Sequence, residues 1–304
     1  MENIDNYIKK FKASSNLVAV KELFNTILFN FSLIYFQEDI NKYLFIITLS
    51  LVQLRWFMIF HDLGHNSFFP SSKLNNYLHY LISFIVFTPY SWKYAHSQHH
   101  MMNSKSIDYN DTIYLTKKEY DNLNIFYKYL YIIFRNPIIY FTITPIIQWF
   151  IHYRIPIKIN KWHTVTSKLV NTFVNILYAN IAYNDVYSYY ISMYICSILG
   201  LMLFHIQHTY ENSYISHDNK WTKYDSALKG SSYIKIPYFL KWFTMGIEYH
   251  HIHHLNSNIP GYSLQKCHEE APSHFWKDVT FLNYKNIYKS LKIMFYDEDK
   301  KIYY

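Results

Sequence analysis

Residues 43–65 read YLFIITLSLVQLRWFMIFHDLGH, an apolar run with a single charge, Arg55, before its closing HDLGH. A helix needs ~20 mostly apolar residues to cross a bilayer, so this stretch commits the chain to a membrane before anything else is considered. An arginine at mid-bilayer costs roughly 2.5–3.5 kcal/mol on insertion scales, so Arg55 is expected to snorkel or to face protein. A second run, NLVAVKELFNTILFNFSLIYF (16–36), is weakened by Lys21 and Glu22 and joined to the first by the polar turn QEDINK. A further pair, SKLVNTFVNILYANIAY (167–183) and YSYYISMYICSILGLMLFHIQH (187–208), is split by the polar Asn184 and Asp185. The expected fold is an all-α integral membrane protein with two transmembrane hairpins, about four spans. LHYLISFIVFTPY (78–90) is short, and NPIIYFTITPIIQWFI (136–151) is broken by Pro137 and Pro145, so both are expected to be interfacial or re-entrant helices.

Composition agrees once tyrosine is weighed correctly. Charged residues are 16% of the chain, against a usual share of about 25%. The mean hydropathy of −0.12 is pulled down by 33 tyrosines, whose rings nonetheless bury well and settle at membrane interfaces. A net charge of +8 without a dense Lys/Arg run argues against nucleic acid and fits anionic headgroups or an acidic protein partner. Cys196 and Cys267 are too few for a disulfide framework or a thiolate metal site. The first residues, MENIDNYIKKFKASSN, lack the apolar core of a secretory signal. Lys73, Lys93, Lys105, Lys117, Lys118 and Lys128 lie between the hairpins, while the hairpin turns carry only Lys42. The positive-inside rule therefore places the long loop and both termini in the cytoplasm. Neither a repeat nor a linker divides the chain, and residues 1–304 are expected to form one domain.

The 17 histidines are grouped. HDLGH gives His61 and His65, HSQHH gives His96, His99 and His100, HIQH gives His205 and His208, and HHIHH gives His250, His251, His253 and His254. Spacings of three and four stack side chains on one helical face. Two of the groups close apolar spans and two lie in the loop and tail, so all four can meet as a histidine-rich cap on the cytoplasmic side. One H-x-x-x-H is weak evidence, but four such groups on one membrane face point to metal. Imidazole without thiolate suits zinc, copper, iron or nickel. A single zinc takes four ligands, so this many histidines imply two metals. A carboxylate-type di-iron bundle would need two E-x-x-H motifs and further glutamates, whereas only Glu248 and His251 show that spacing.

These segments resemble the membrane fatty acid desaturase family. HDLGHNSFFPS, FTPYSWKYAHSQHH, YDSALKGSSY and HHIHHLNSNIPGYSLQKCHE occur in its order, over about residues 51–270, and look most like the bacterial and plant Δ12 (omega-6) branch. The resemblance implies an oxygen-dependent di-iron enzyme that inserts a cis double bond into a long acyl chain. The implied metal ligands are His61, His65, His96, His99, His100, His250, His253 and His254, with His208 as an additional ligand. His205 is expected as a ligand or as a partner supporting one, and His251 to point away from the metals. Asp62 and Asp225 are candidate acceptors for imidazole N–H groups, with capping or exposure the plain alternative for each. His79, His152, His163, His217, His268 and His274 match no motif and are expected to be structural. Trp56, Trp92, Trp149 and Trp242 are read as packing or interface residues rather than walls of an acyl tunnel. The implied partners are a fatty acyl lipid or acyl thioester, dioxygen, membrane lipid and a separate electron donor, a ferredoxin or cytochrome b5, since no electron-transfer domain is fused. A hydroxylase or epoxygenase of the same superfamily shares these motifs. A histidine-rich membrane metal transporter is the alternative from another class, though it would place polar groups within the spans.

Overall fold

The computed structural model describes residues 3–106, 114–155, 162–216 and 220–304. A short α1 (Ile4–Lys9) leads into α2 (Asn16–Tyr35) and α3 (Lys42–Gly64). Helices α2 and α3 each start where a polar side chain takes up free N–H groups: Ser15 caps α2, and the Asn41 carboxamide accepts from Tyr43 and Leu44 at the head of α3. Helix α4 (Ser72–Ile85) folds back along α3, and α5 (Trp92–Met102) carries HSQHH. Then follow α6 (Lys117–Asn122), α7 (Ile125–Arg135) and α8 (Pro137–Pro145), the last running on as a π-helix over Ile146–His152. Helices α9 (Trp162–Ala182) and α10 (Val186–His208) complete the helical layer.

Three of these helices, α2, α3 and α10, are long and apolar enough to cross a membrane. The pair from Ile125 to His152, bent by 81° at Asn136, is a broken span or re-entrant loop and raises the count to four. Contrary to a break at Pro145, residues 137–152 run on as one helical stretch, and the bend falls before Pro137. Helix α9 is less apolar than the sequence reading requires of a span, and its polar residues explain why. The Asn171 amide donates to the Ser83 carbonyl at 2.6 Å, and that of Asn175 donates to Phe84 O at 2.6 Å and to the Tyr189 hydroxyl at 2.7 Å. Both asparagines are buried and satisfy carbonyls at the end of α4, while Leu169, Phe173 and Ile181 remain exposed on the opposite side. So α9 packs mainly on α4, and α10 packs along α3.

Helix α3 is the axle of the bundle: 67% of its most apolar window is buried, against 22% for α2. Arg55 lies inside it, 1% exposed, and faces protein. Its guanidinium donates to Glu22 Oε2 at 2.5 Å, to Thr26 Oγ1 at 2.7 Å and to the Trp242 carbonyl, and lies 3.9 Å from the Trp242 ring centre. At the far end of the bundle the two interhelical turns are joined. Asn184 bonds to Gln37 and Glu38 at 3.0 and 2.6 Å, and Lys42 pairs with Asp185 at 2.8 Å. Both turns thus sit at one end of the helical layer, and α3 and α10 run in the same direction toward the histidines.

The cap at the other end comprises α11 (Lys223–Leu228), β1 (Ser232–Ile234), α12 (Tyr238–Thr244), α13 (His250–Leu255), α14 (Gly261–Glu269), β2 (Thr280–Leu282), α15 (Tyr284–Ser290), β3 (Tyr296–Asp297) and β4 (Ile302–Tyr303). β1 pairs parallel with β2, and β3 antiparallel with β4. Its core joins Leu228, Ile252, Leu255 and Cys267 to Ile4 and Tyr7 of α1, and the Tyr7 hydroxyl donates to Cys267 O at 3.0 Å. The Cys267 thiol, pushed up to about 12 by burial, is a core group rather than a nucleophile.

Candidate metal centre

Nine histidines gather into two groups whose donor nitrogens lie within 4.8 Å of one another. One group is His61, His65, His96, His100 and His253; the other is His99, His208, His250 and His254. Helix periodicity explains the division. Residues four apart are separated by about 40° around a helix and share a face, whereas a residue three along points about 60° the other way. His96 and His100 therefore share one group while His99 serves the other. His250 and His254 likewise share a group while His253 crosses to the opposite one. His61 and His65, also four apart, stay together.

The nitrogens are spaced as ligands around an ion. His96 Nε2 is 2.8 Å from His61 Nε2 and 3.1 Å from His100 Nε2, which is 3.0 Å from His253 Nε2. In the second group His208 Nε2 lies 2.8 Å from His250 Nε2 and 3.2 Å from His99 Nε2, with His254 Nε2 3.3 Å from His99 Nε2. Neighbouring nitrogens bound at about 2.0–2.1 Å to one ion stand roughly 2.8–3.4 Å apart in octahedral or tetrahedral geometry. His65 Nε2 is buried without a hydrogen-bond partner, an orphan that an ion in the first group would satisfy. Burial, and after it the neighbouring imidazoles, holds His96, His100, His250, His253 and His254 below the usual histidine range. All five are neutral at pH 7, the form that ligates metal.

Partners behind the rings set their orientation. Asp62 Oδ1 lies 3.2 Å from His61 Nδ1, and Asp62 Oδ2 accepts from the Gly261 N–H at 2.6 Å. A side chain at 261 would lie 2.5 Å from Met245 O and 3.0 Å from the Asp62 carboxylate, so glycine is required there. His208 Nδ1 donates to Gly230 O at 3.1 Å. Each contact places the proton on Nδ1 and aims the Nε2 lone pair into its group. Loss of such a support typically costs 10–100-fold in metal affinity or activity, and Asp62→Ala is expected to fall in that range. Titration of metal into purified variant and parent checks it; equal affinities would remove Asp62 from the site.

The remaining sequence candidates are distributed differently. His205 belongs to neither group: its Nε2 donates to Ser290 O at 3.0 Å among Tyr140 and Phe141, tying α10 to α15. His251 belongs to neither group and meets His268 at 3.1 Å and the Trp276 ring. Among the described residues Asp225 bonds to no histidine. As the third residue of α11 it closes a cap with Thr222 and pairs with Lys229 at 2.8 Å, the plain alternative for this residue. Glu248 is buried against the Thr244 hydroxyl. His79 is structural, its ring nitrogens facing Phe60 O and Tyr90 O. Lys168 Nζ donates to the His152 carbonyl at 2.6 Å, with His152 itself beside the cavity between α3, α5, α8 and α10, and His274 packs on Phe275. His217 and the His163 side chain lie outside the described residues.

A cavity of about 890 Å³ runs between α3, α5, α8 and α10 and reaches rings of both groups, His61 and His96 of the first and His99 and His250 of the second. Small-molecule sites occupy roughly 300–1,000 Å³, so the space is ample for a long chain. Trp92 and Trp149 line it, against the reading of them as packing residues; Trp56 lies in the helical core and Trp242 under Arg55. The spacing rules that find the histidines are silent on walls such as Gln53, Thr144 and Gly200, because they carry no motif.

Helices of membrane length, ending in two imidazole groups that open onto a largely apolar cavity, define an integral membrane protein with a site suited to metal. The chain belongs to the fatty acid desaturase family, whose model matches residues 42–280. It is thus an oxidoreductase of lipid metabolism. A fatty acid desaturase of Bacillus subtilis is 32% identical over 88% of this chain and 79% of its own length. The sn-1 oleoyl-lipid 12-desaturase of Picosynechococcus is 23% identical over 70% of this chain and 64% of its own. The sn-1 acyl-lipid omega-3 desaturase (ferredoxin) of Synechocystis is 26% identical over 70% and 62%.

Proposed function

We propose that this protein is an oxygen-dependent fatty acyl desaturase that places a cis double bond in a long acyl chain, of the Δ12 or omega-6 type, with residues 1–304 acting as one domain. The nine clustered histidines, His61, His65, His96, His99, His100, His208, His250, His253 and His254, would hold two iron ions. When bound, the iron pair would supply the activation of dioxygen and the removal of two hydrogens from an unactivated carbon pair, chemistry outside the reach of side chains alone. The observation that carries this reading is the contact of one cavity with both histidine groups. Phe57, Trp92 and Phe204 wall the cavity beside the rings, where they exclude water and restrict the chain to a few orientations. A glycerolipid substrate and a ferredoxin donor are favoured by the names of the cyanobacterial relatives. A cytochrome b5 is the other donor to test. The lysines of the loop between the hairpins support a cytoplasmic site and cytoplasmic termini.

The test is expression in a host that makes monounsaturated but no polyunsaturated lipids, with double bonds located by mass spectrometry and iron counted on the purified protein. A new dienoic acid and two irons per chain are the expected results. Hydroxylated or epoxidised chains would transfer the assignment to the sister chemistry. Protein folded in the membrane without iron would end the di-iron reading.

A further inference from the structure

We infer that α12 and α15 together form a binding face for the headgroups of anionic phospholipids, in the leaflet on the histidine side of the membrane. The two helices start side by side. Strands β1 and β2 are parallel, with Ile234 opposite Leu282, so the chain leaves both at the same end and enters α12 at Tyr238 and α15 at Tyr284. Ile236, just before α12, and Ile287 and Leu291, in and after α15, pack on one small core with Ile206 of α10. Ser290 fixes α15 to α10 twice: its carbonyl accepts from His205 Nε2, and its hydroxyl donates to Thr209 O. Helix α12 is set against the membrane helices themselves. The rings of Trp242 and Phe243 lie 5.5 and 6.4 Å from that of Phe29, more than three turns inside α2, and the Trp242 carbonyl accepts from Arg55 of α3. That contact seats α12 at the boundary of the bilayer rather than above it.

The face carries rings and ammonium groups together. Tyr238, Phe239, Tyr284 and Tyr288 are 88, 73, 74 and 60% exposed. Tyr284 and Tyr288 stand four apart and form an aromatic stripe, and Lys285 and Lys289, the next residue round in each case, form a cationic stripe beside it. Lys292 continues that stripe, its ammonium 4.1 Å from the Tyr288 ring centre, and Lys235 is exposed where the chain leaves β1. Among the described residues one carboxylate pairs with these four lysines, that of Glu211 at 3.5 Å from Lys289. Lys235, Lys285 and Lys292 have no such partner, and Glu248 near α12 is turned inward against the Thr244 hydroxyl. Tyrosine rings settle at the level of lipid headgroups, and lysine stems lie along apolar surface while their charges reach the phosphates. An acidic protein would also meet these charges, but the depth of α12 beside Phe29 puts Phe239 and its neighbours against lipid. Helix α12 leads through the left-handed Met245 and Gly246 to α13, so headgroups held here brace the segment that delivers His250, His253 and His254.

A lysine close to an anionic surface favours it about fivefold. The full-length protein would be reconstituted in phosphatidylcholine bilayers and probed with spin-labelled phosphatidylglycerol or spin-labelled phosphatidylcholine, comparing the fraction of each immobilised at the protein. The parent should prefer phosphatidylglycerol by about fivefold, and less so at high salt. The variant Lys235→Gln/Lys285→Gln/Lys292→Gln should fall to within about twofold of no preference. Lys9→Gln/Lys10→Gln/Lys12→Gln, the same loss of charge at α1, should keep the parental preference. The parental preference in the first variant, equal losses in both variants, or no preference in the parent would each overturn the inference. So would a first variant that keeps its lipid preference but loses salt-sensitive binding of a plant-type ferredoxin, which would give the face to an acidic protein. Should that triple variant not elute as a single folded species, Lys285→Gln/Lys292→Gln decides by the same comparison.

Discussion

Replacing His253 with alanine is expected to reduce desaturation by more than a hundredfold and to remove about one iron per chain. Removing a mere support for a ligand already costs 10–100-fold, and His253 is proposed as a ligand itself. It is the one contribution of the cap to the five-histidine group. Its ring centre lies 4.5 Å from that of His61, 4.9 Å from His65 and 4.6 Å from His100, so it closes the group on the side the membrane helices leave open. The four-histidine group takes nothing from it, which is why the iron count should fall by one and not by two. His251→Ala is the control, since that ring sits against His268 and Trp276 on the far side of the same helix. Metal analysis and product quantification on both variants check the pair. Full activity in His253→Ala would overturn the ligand assignment.

Arg55→Leu is expected to destabilise the protein by about 3–5 kcal/mol, the range found when one partner of a buried ion pair is removed. The Arg55 side chain is 1% exposed and that of Glu22 is 22% exposed, so little solvent screens the pair. The same guanidinium also bonds Thr26, reaches the Trp242 carbonyl and stacks on the Trp242 ring, joining α2, α3 and the cap at one point. Most of the loss comes from leaving the Glu22 carboxylate without its partner in an apolar setting. The double variant Arg55→Leu with Glu22→Gln should therefore recover a substantial part of it. Arg55→Lys should not, because an ammonium lacks the planar fork and the stacking face. Unfolding midpoints in lipid nanodiscs measure all three, and a single variant within 1 kcal/mol of the parent would show that the pair adds nothing.

The histidines were legible because a helix repeats every 3.6 residues and ligands must share a face, so spacings of three and four carry chemistry in themselves. The division of HSQHH and HHIHH between two groups follows from the same angles, yet it becomes visible only once both helices are set against each other. His205 and Asp225 illustrate the limit. Each stands at a plausible spacing, but a carbonyl of α15 claims the first, and a helix cap with a lysine claims the second. Tertiary neighbours decided those roles, and local sequence does not name them. Helix α9 shows the same limit in the fold: Asn171 and Asn175 lower its apolarity as sequence, but in place they are buried donors to α4.

Both groups draw on α13: His253 enters one, His250 and His254 the other. That interleaving has a consequence for biosynthesis. By the time the ribosome has made residue 208, the nascent chain has α2, α3 and α10 and six of the nine histidines, but neither group is complete. An ion captured at that stage would sit in a partial shell open to solvent and oxygen. Only after residue 254 has emerged and folded back can either group close, and α13 then supplies the last ligands to both. Any acquisition of metal would thereby be tied to synthesis of α13, and products truncated before it would lack ligands of both groups.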